Sequence, residues 1–527
     1  MKKSKLIYVV LCISAMLVSC DDFLSTMPDN RAELNTEAKV ASILVSAYPN
    51  KAPIIMMEYG TDNVMDNGAL YASDTRKEEV YQWKDITTDS SDDPRYMWQA
   101  HYSAIAAANQ ALQAIDDLGN PASLAPHRAE ALICRAYAHF VLANVFCLPY
   151  NPETADKDMG LPYAEKPETQ VDVKYERGTM AGLYQKINDD IEAALPGIRD
   201  EVYTVPKYHF NKKAAYAFAA RFNLLYVKTD KSNYQKVIDY ATQVLGSTPE
   251  NAVRRMSAYL PLGAADISNA YVQVSEVANL LIIPAYSLAG RMISGTGARY
   301  NHNMEIVSYE TVWASGPWGS SGSGGFLISQ LYGTNQSVRF PKLDEFWEAT
   351  DKTGNTGYAH VVHVPFTADE ALLCRAEAYT FQEKYAEAAA DLNIWQEAHC
   401  KKTVGANTLA TLTRDIINNF WNSRTYTPIP LNPDNAGKDR SIKKTLHPQG
   451  FTVAEGEQEN FIQCVLHYRR IENLHDGQRW VDIKRYGIEV EHNRDGLSSD
   501  ILKSDDLRRA LQLPSDVINA GLPANPR

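Results

Sequence analysis

A nine-residue stretch that recurs with seven positions identical constrains this chain more than any other feature: Glu130-Ala-Leu-Ile-Cys-Arg-Ala-Tyr-Ala and Glu370-Ala-Leu-Leu-Cys-Arg-Ala-Glu-Ala. Leu132, Ala136 and Phe140 share one face at helical spacing, as do Leu372, Ala376 and Tyr379, and the alanines let a second helix approach closely. A looser copy, Ala214 to Tyr226, is followed after Thr229-Asp-Lys-Ser by Tyr234, Val237, Ile238, Ala241, Val244 and Leu245. That is a helix, a turn and a helix. The Glu370 copy continues likewise, Lys384-Tyr385 turning into Ala386, Ala389, Leu392 and Trp395, so the units look like tetratricopeptide repeats.

Further helices are predicted over Met97 to Asp117 and over Met180 to Leu195, the latter ended by Pro196-Gly197. Residues 50–96, 250–366 and 425–465 lack helical periodicity and are rich in Gly, Pro, Asn, Ser and aromatics. Loops this long within a globular chain usually carry function. The expected fold class is therefore mainly α. One domain over 20–527 is expected, with repeat helices at about 97–246 and 367–424 and a loop-rich ligand-binding region at about 50–96 and 250–366, because no linker divides the middle of the chain.

The first twenty residues run from a basic start through an apolar stretch, Leu6 to Val18, into Leu17-Val18-Ser19-Cys20. Thirteen apolar residues are too few to span a bilayer. The pattern resembles a bacterial lipobox, with residues 1–19 a signal peptide, Cys20 the lipidated N-terminus of the mature protein, and the membrane a partner through that lipid. The longest later apolar stretch, Val277 to Ala289, is broken by Asn279 and Pro284 and reads as core. The formal net charge is −12, and loss of Lys2, Lys3 and Lys5 makes the mature chain more negative still, which argues against nucleic acid as a partner. Cys134, Cys147, Cys374, Cys400 and Cys464 show no CxxC spacing and read as buried hydrophobes, with room for one disulfide.

Several segments in order resemble the SusD/RagB family of nutrient-binding lipoproteins, and the likeness covers nearly the whole chain. They are Cys20-Asp-Asp-Phe-Leu; Trp98 with Tyr102, Ile105 and Asn109; Arg135-Ala-Tyr-Ala-His-Phe; Tyr184 to Pro196; the Ala215 to Tyr226 helix; Glu370 to Tyr379; Arg469 to Gly487; and the tail Leu513-Pro-Ser-Asp-Val-Ile-Asn. The resemblance implies a SusD-like fold, in which tetratricopeptide-like helix pairs pack against an irregular, loop-rich half. It implies capture of oligosaccharide or polysaccharide at the cell surface of the outer membrane, Bacteroidetes type. It also implies a partner, a TonB-dependent (SusC-like) transporter barrel over which the protein sits as a lid. No cofactor and no enzymatic activity are implied. His475-Asp476 departs from the family pattern, which often has an apolar residue and Glu there.

A sugar offers flat C–H faces and a rim of hydroxyls, so its binder needs aromatic platforms and side chains that donate and accept hydrogen bonds. The 250–366 region carries Tyr286, Tyr300, Tyr309, Trp313 and Trp318, the last within Gly316-Pro-Trp-Gly-Ser-Ser-Gly-Ser-Gly-Gly. Its small neighbours single out Trp318 as the leading platform, with Trp313 and Tyr300 next. Family members draw further contacts from the early loop, which here contains Asp66, Asn67, Tyr71 and Arg76; Trp83 reads as core. Arg479, Asp482 and Arg485, at i, i+3 and i+6, read as a structural ion-pair network on a helix face. Asp89, Asp92 and Asp93 read as a solvated turn without the spacing of an EF-hand loop, and His360 and His363 fall on opposite faces of a strand, which disfavours a metal site. Uptake of peptide nutrient, a glycoside hydrolase, and a scaffold that binds protein peptide in its repeat groove stand as the alternatives.

Overall fold

The structure is a computed structural model that describes residues 34–527 apart from 169–172, 295–296, 319–325, 327–330, 352, 355, 405–406 and 433–435. The signal segment, Cys20 and the latter part of the glycine-serine loop lie outside the described residues. The frame is built from helices α1 (Pro94–Asp117), α2 (Ala125–Phe146), α3 (Met180–Ala194), α4 (Lys212–Leu225), α5 (Ser232–Leu245), α6 (Ala368–Phe381), α7 (Tyr385–His399), α8 (Glu457–Glu472) and α9 (Arg479–Arg485). Each packs on its chain neighbour through α1–α2–α3 and α4–α5–α6–α7, and α8 lies against α6. This is the mainly α, paired-helix architecture that the repeats imply. Among the described residues α2, with the turn before it, is long and apolar enough to cross a bilayer, but 83% of its apolar window is buried, which makes it a core helix.

The repeated nonapeptide places an equivalent lock in both halves of the frame. In α2, Arg135 donates twice to Asp190 of α3 (2.7 Å each) and once to Asn109 of α1 (2.9 Å). In α6, Arg375 donates twice to Asp391 of α7 (2.9 and 2.7 Å) and once to Thr242 of α5 (3.2 Å). The planar guanidinium thus joins three consecutive helices in each half, which a lysine ammonium cannot do with the same geometry. The repeat's glutamates also bind outside their own helices. Glu130 accepts from Tyr48 (2.6 Å) and is paired with His209 (2.8 Å), while Glu370 is bidentate with Arg221 of α4.

The other half holds an antiparallel sheet of β1 (Asn279–Ala285), β2 (Phe346–Asp351) and β3 (Thr356–Thr367) in the order β1-β3-β2, together with short helices and two-residue strand pairs. β1 pairs Asn279 with Thr367 and Ala285 with Val361; the β2–β3 hairpin pairs Phe346 with His360. The stretch around Val277–Ala289 is thus a core strand, Leu280–Ile283 being buried, although Val277 itself is exposed. The region read as irregular to residue 465 ends sooner, because α8 begins at Glu457. Every residue of α8 from Asn460 to Glu472 is buried, so the polar stripe that would reveal a surface helix is missing. All five cysteines among the described residues are buried and free, without a disulfide.

Arg135→Ala is expected to lower the unfolding free energy by about 3–5 kcal/mol, because it leaves Asp190 charged and unpaired inside the protein. The paired change Arg135→Met with Asp190→Leu is expected to cost much less, and urea unfolding of the two variants checks this.

Candidate functional site

A cluster of rings lies in the loop half, where residues 65–71, 299–313 and 331–339 meet. Met65 and Asp66 pair with Asn301 and Tyr300, and Asn303 bridges to Ser337, so the three segments form one surface. Asn303 caps the short helix Met304–Tyr309, its side-chain oxygen accepting from the Glu305 and Ile306 amides at 3.1 Å, while its amide nitrogen donates to Asn67 (2.9 Å). Tyr309 closes that helix and is 41% exposed; Tyr332 on the neighbouring strand pair is 58% exposed. Trp313 is half-buried, its ring 6.4 Å from that of Tyr332. Tyr71 reaches the same loop, its hydroxyl donating to the Thr334 carbonyl at 3.4 Å. Nδ2 of Asn67 and Nε1 of Trp313 have no acceptor among the described residues.

What holds this surface is the charge network beneath it. Glu310, next to Tyr309 and wholly buried, accepts from Arg440 (2.8 Å), Lys444 (2.6 Å) and Arg470 of α8 (2.8 Å). Burial alone would raise its carboxyl, but those three cations outweigh burial and hold it well below the carboxylate range. Arg440 also holds Glu305 at 2.7 Å, so both ends of the short helix's polar side are fixed. Arg470 continues to Asn63 and to Asp62, and Asp62 is bidentate with Arg479 of α9 (2.9 and 3.0 Å).

The structure corrects several site expectations. Trp318 is 4% exposed and sealed in the core, stacked on His467 (5.4 Å) and set edge-on to Phe326 (4.7 Å). Its small neighbours do the opposite of exposing it: the ring lies across Gly316, where a Cβ would sit 2.1 Å from a ring carbon. Tyr300 is 1% exposed and ends a ring column running through Tyr81 (4.4 Å) and His492 to Trp83, which is core as expected. Asp66 is buried and bidentate with Arg299 (2.8 and 2.6 Å). Its burial works to raise the carboxyl, but Arg299 and the amides of Asp495 and Gly68 outweigh that and lower it. Arg76 is buried and ion-paired with Asp93, so it is structural. That leaves Trp313, Tyr309, Tyr71 and Asn67 of the expected residues in one surface, and adds Tyr332 and Asn303. Tyr332 was missed because its segment carries no periodicity to show that its ring points outward.

The acidic turn is not solvated. Asp92 and Asp93 are buried, Asp92 accepting from Ser287 and from the Leu288 amide (3.0 Å), while Asp89 stays on the surface beside Arg95. The Arg479–Arg485 segment is a buried structural network with different partners from those of a helix face. Arg479 holds Asp62, Asp482 holds Arg469 (2.8 Å), and Arg485 with Arg469 holds Glu377 of α6. The departing pair His475-Asp476 is also bound: the His475 and Gly477 amides donate to buried Glu58 (3.1 and 3.0 Å), and Asp476 pairs with Lys342 (2.8 Å).

Residues 22–224 match the SusD-like family model described as starch-binding associating with outer membrane. No curated protein matches the chain. Among solved structures, a putative sugar binding protein from Bacteroides vulgatus is similar, with 16% identity, 94% of this chain and 99% of that one covered and a TM-score of 0.64. A SusD superfamily protein from Bacteroides thetaiotaomicron matches with 18% identity, 93% and 98% coverage and a TM-score of 0.58. A laminarin binding SusD-like protein matches with 14% identity, 93% and 99% coverage and a TM-score of 0.54.

Trp318→Ala is expected to cost about 3–5 kcal/mol of stability as a core truncation, measurable by urea unfolding. Glu377 gives a pH prediction. Burial would raise its carboxyl, but Arg485, Arg469 and the Tyr486 hydroxyl reverse this and hold it down to about 2. A carboxyl depressed in the folded state stabilises above its unfolded value, about 4.3, and that stability drains as pH falls towards 2. Urea midpoints from pH 6 to pH 2.5 are therefore expected to fall less steeply in Glu377→Gln than in the parent chain, though they start lower.

Proposed function

From the family-model match over residues 22–224 and the SusD-like fold of the chain, we propose that this is a SusD/RagB-type protein that binds glycan at the cell surface without altering it. In this reading lipid at Cys20 anchors it to the outer membrane, and it passes captured oligosaccharide to a TonB-dependent transporter barrel. The observation that carries the reading is the ring pair Trp313 and Tyr332, with Tyr309 also exposed, on segments joined to the early loop through the Asn303–Asn67 hydrogen bond. Rings offer faces on which sugar C–H groups stack, and tyrosine hydroxyls donate and accept hydrogen bonds. The names of the sugar-binding and laminarin-binding structural relatives, and the family description, support the same class of ligand.

The paired state of the carboxylates in these segments favours capture over turnover. A glycoside hydrolase needs one carboxyl kept protonated as acid and a second free to act across the cleft. Here Asp66 is tied to Arg299, Glu305 to Arg440 and Glu310 to three cations, and Asp66 and Glu310 are held below their ordinary values. Neither Asp66 nor Glu310 is suited to donate a proton near neutral pH.

Equilibrium binding to soluble laminarin, maltohexaose and a peptide digest tests the reading. Tyr309→Ala, Trp313→Ala and Tyr332→Ala are each expected to weaken glycan binding about fivefold, or about 1 kcal/mol per ring. No new reducing ends are expected on long incubation. Binding of peptides in place of glycans, or glycan affinity indifferent to all three substitutions, refutes it.

A further inference from the structure

A cleft of ≈ 680 Å³ opens elsewhere on the molecule and shares no residue with the ring cluster described above. That volume lies within the range of about 300–1,000 Å³ usual for small-ligand sites. One wall is the exposed side of the first turns of α1, with Tyr96, Gln99 and Ser103; a second is the segment Val45–Lys51; the third is the end of β1 at Tyr286 together with the β2–β3 hairpin. The hairpin register pairs Phe346 with His360 and Glu348 with Tyr358, so these four side chains share one face, and Glu348 and His360 line the cleft. Tyr358 on that face is 60% exposed, and the ring of Tyr286 meets it at 66° with centroids 5.6 Å apart.

The chemistry is that of a polar hole with an aromatic corner. Two rings set steeply to each other give one face for stacking and one edge to fix its direction. Lys51 donates to Ser91 (2.6 Å) and to the Tyr286 carbonyl (2.7 Å), and an ammonium has a third donor to give. Gln99 and Ser103 stand exposed on α1, and Nδ1 of His360, buried in the wall, has no partner among the described residues. One cation, Lys51, and one carboxylate, Glu348, balance, within a chain of net charge −12 that disfavours anionic ligands.

We propose that this cleft is a second carbohydrate site that takes a neutral oligosaccharide. The choice of ligand class rests on the glycan reading of the first site; the place and chemistry of the cleft do not. Two weak sites on one molecule hold a polymer at two points, so a long glycan is retained more firmly than either site alone allows, where the spans match.

The test uses the purified full chain and diazirine-bearing maltohexaose, laminarihexaose, cellohexaose and mannohexaose, with labelled peptides located by mass spectrometry. Label is expected on residues 94–104 and 346–360 for at least one glycan. Ser103→Trp, which places a bulky ring in the cleft from an exposed helix position, is expected to remove that label and leave label near Tyr309 and Tyr332 intact. Tyr358→Ala, at an exposed strand position, is expected to reduce the cleft label at least fivefold. A Tyr309→Ala/Tyr332→Ala double variant is expected to show the reverse pattern. Label near Tyr309 and Tyr332 alone, or cleft label unmoved by both cleft variants, overturns the second site and spares the first. Cleft label alone overturns the first site and spares the second, and no label at either place overturns both.

Discussion

Glu310 is the contact on which the rest of the molecule's arrangement turns. A carboxylate with no exposure would be untenable alone, and here Arg440, Lys444 and Arg470 all converge on its two oxygens. Through Arg470 it reaches α8, and through Asp62 and Arg479 it reaches α9. The loop half is therefore fastened to the helical frame by buried charge. Such a joint tolerates little rearrangement, because displacing any member leaves a charge in the interior without its counter-ion.

That joint explains why rings in irregular backbone can serve as a prepared surface. Tyr309 is covalently next to Glu310, its helix is capped by Asn303, and Glu305 on the same helix is gripped by Arg440. Short helices have little stability of their own, so this one owes its place to the network. The same logic distinguishes the proposed platforms from the structural rings. Trp318, lying over Gly316, and Tyr300, at the end of a ring column, give their area to packing and have none left for a ligand. The second cleft has a comparable basis, since Asp92 grips residues 287–288 at one edge and the hairpin register fixes the other.

How much of this was legible before any coordinates varied with the physics of each part. The helix pairs were, because a repeated apolar stripe admits few other solutions, and the repeat's arginine turned out to make the same three-helix lock twice. The helix Glu457–Glu472 was not, because burial on every side erases the polar stripe that marks a helix. Arg479, Asp482 and Arg485 were legible as a network but not as to partner, since Asp62 and Glu377 lie far away along the chain and Arg469 sits on the preceding helix. Trp318 shows a local rule inverted: glycine beside a tryptophan removes cover, but it also makes room for the ring to fold inward.

By itself, then, the sequence determined the helical frame, the family likeness, the acidic character and the kinds of side chain available to a ligand. These follow from short-range periodicity and from composition, which each segment carries within itself. Only the tertiary structure decided which aromatic rings face water and which arginine meets which carboxylate. Exposure and ion pairing in loops depend on segments hundreds of residues apart coming together, and no local pattern encodes that meeting.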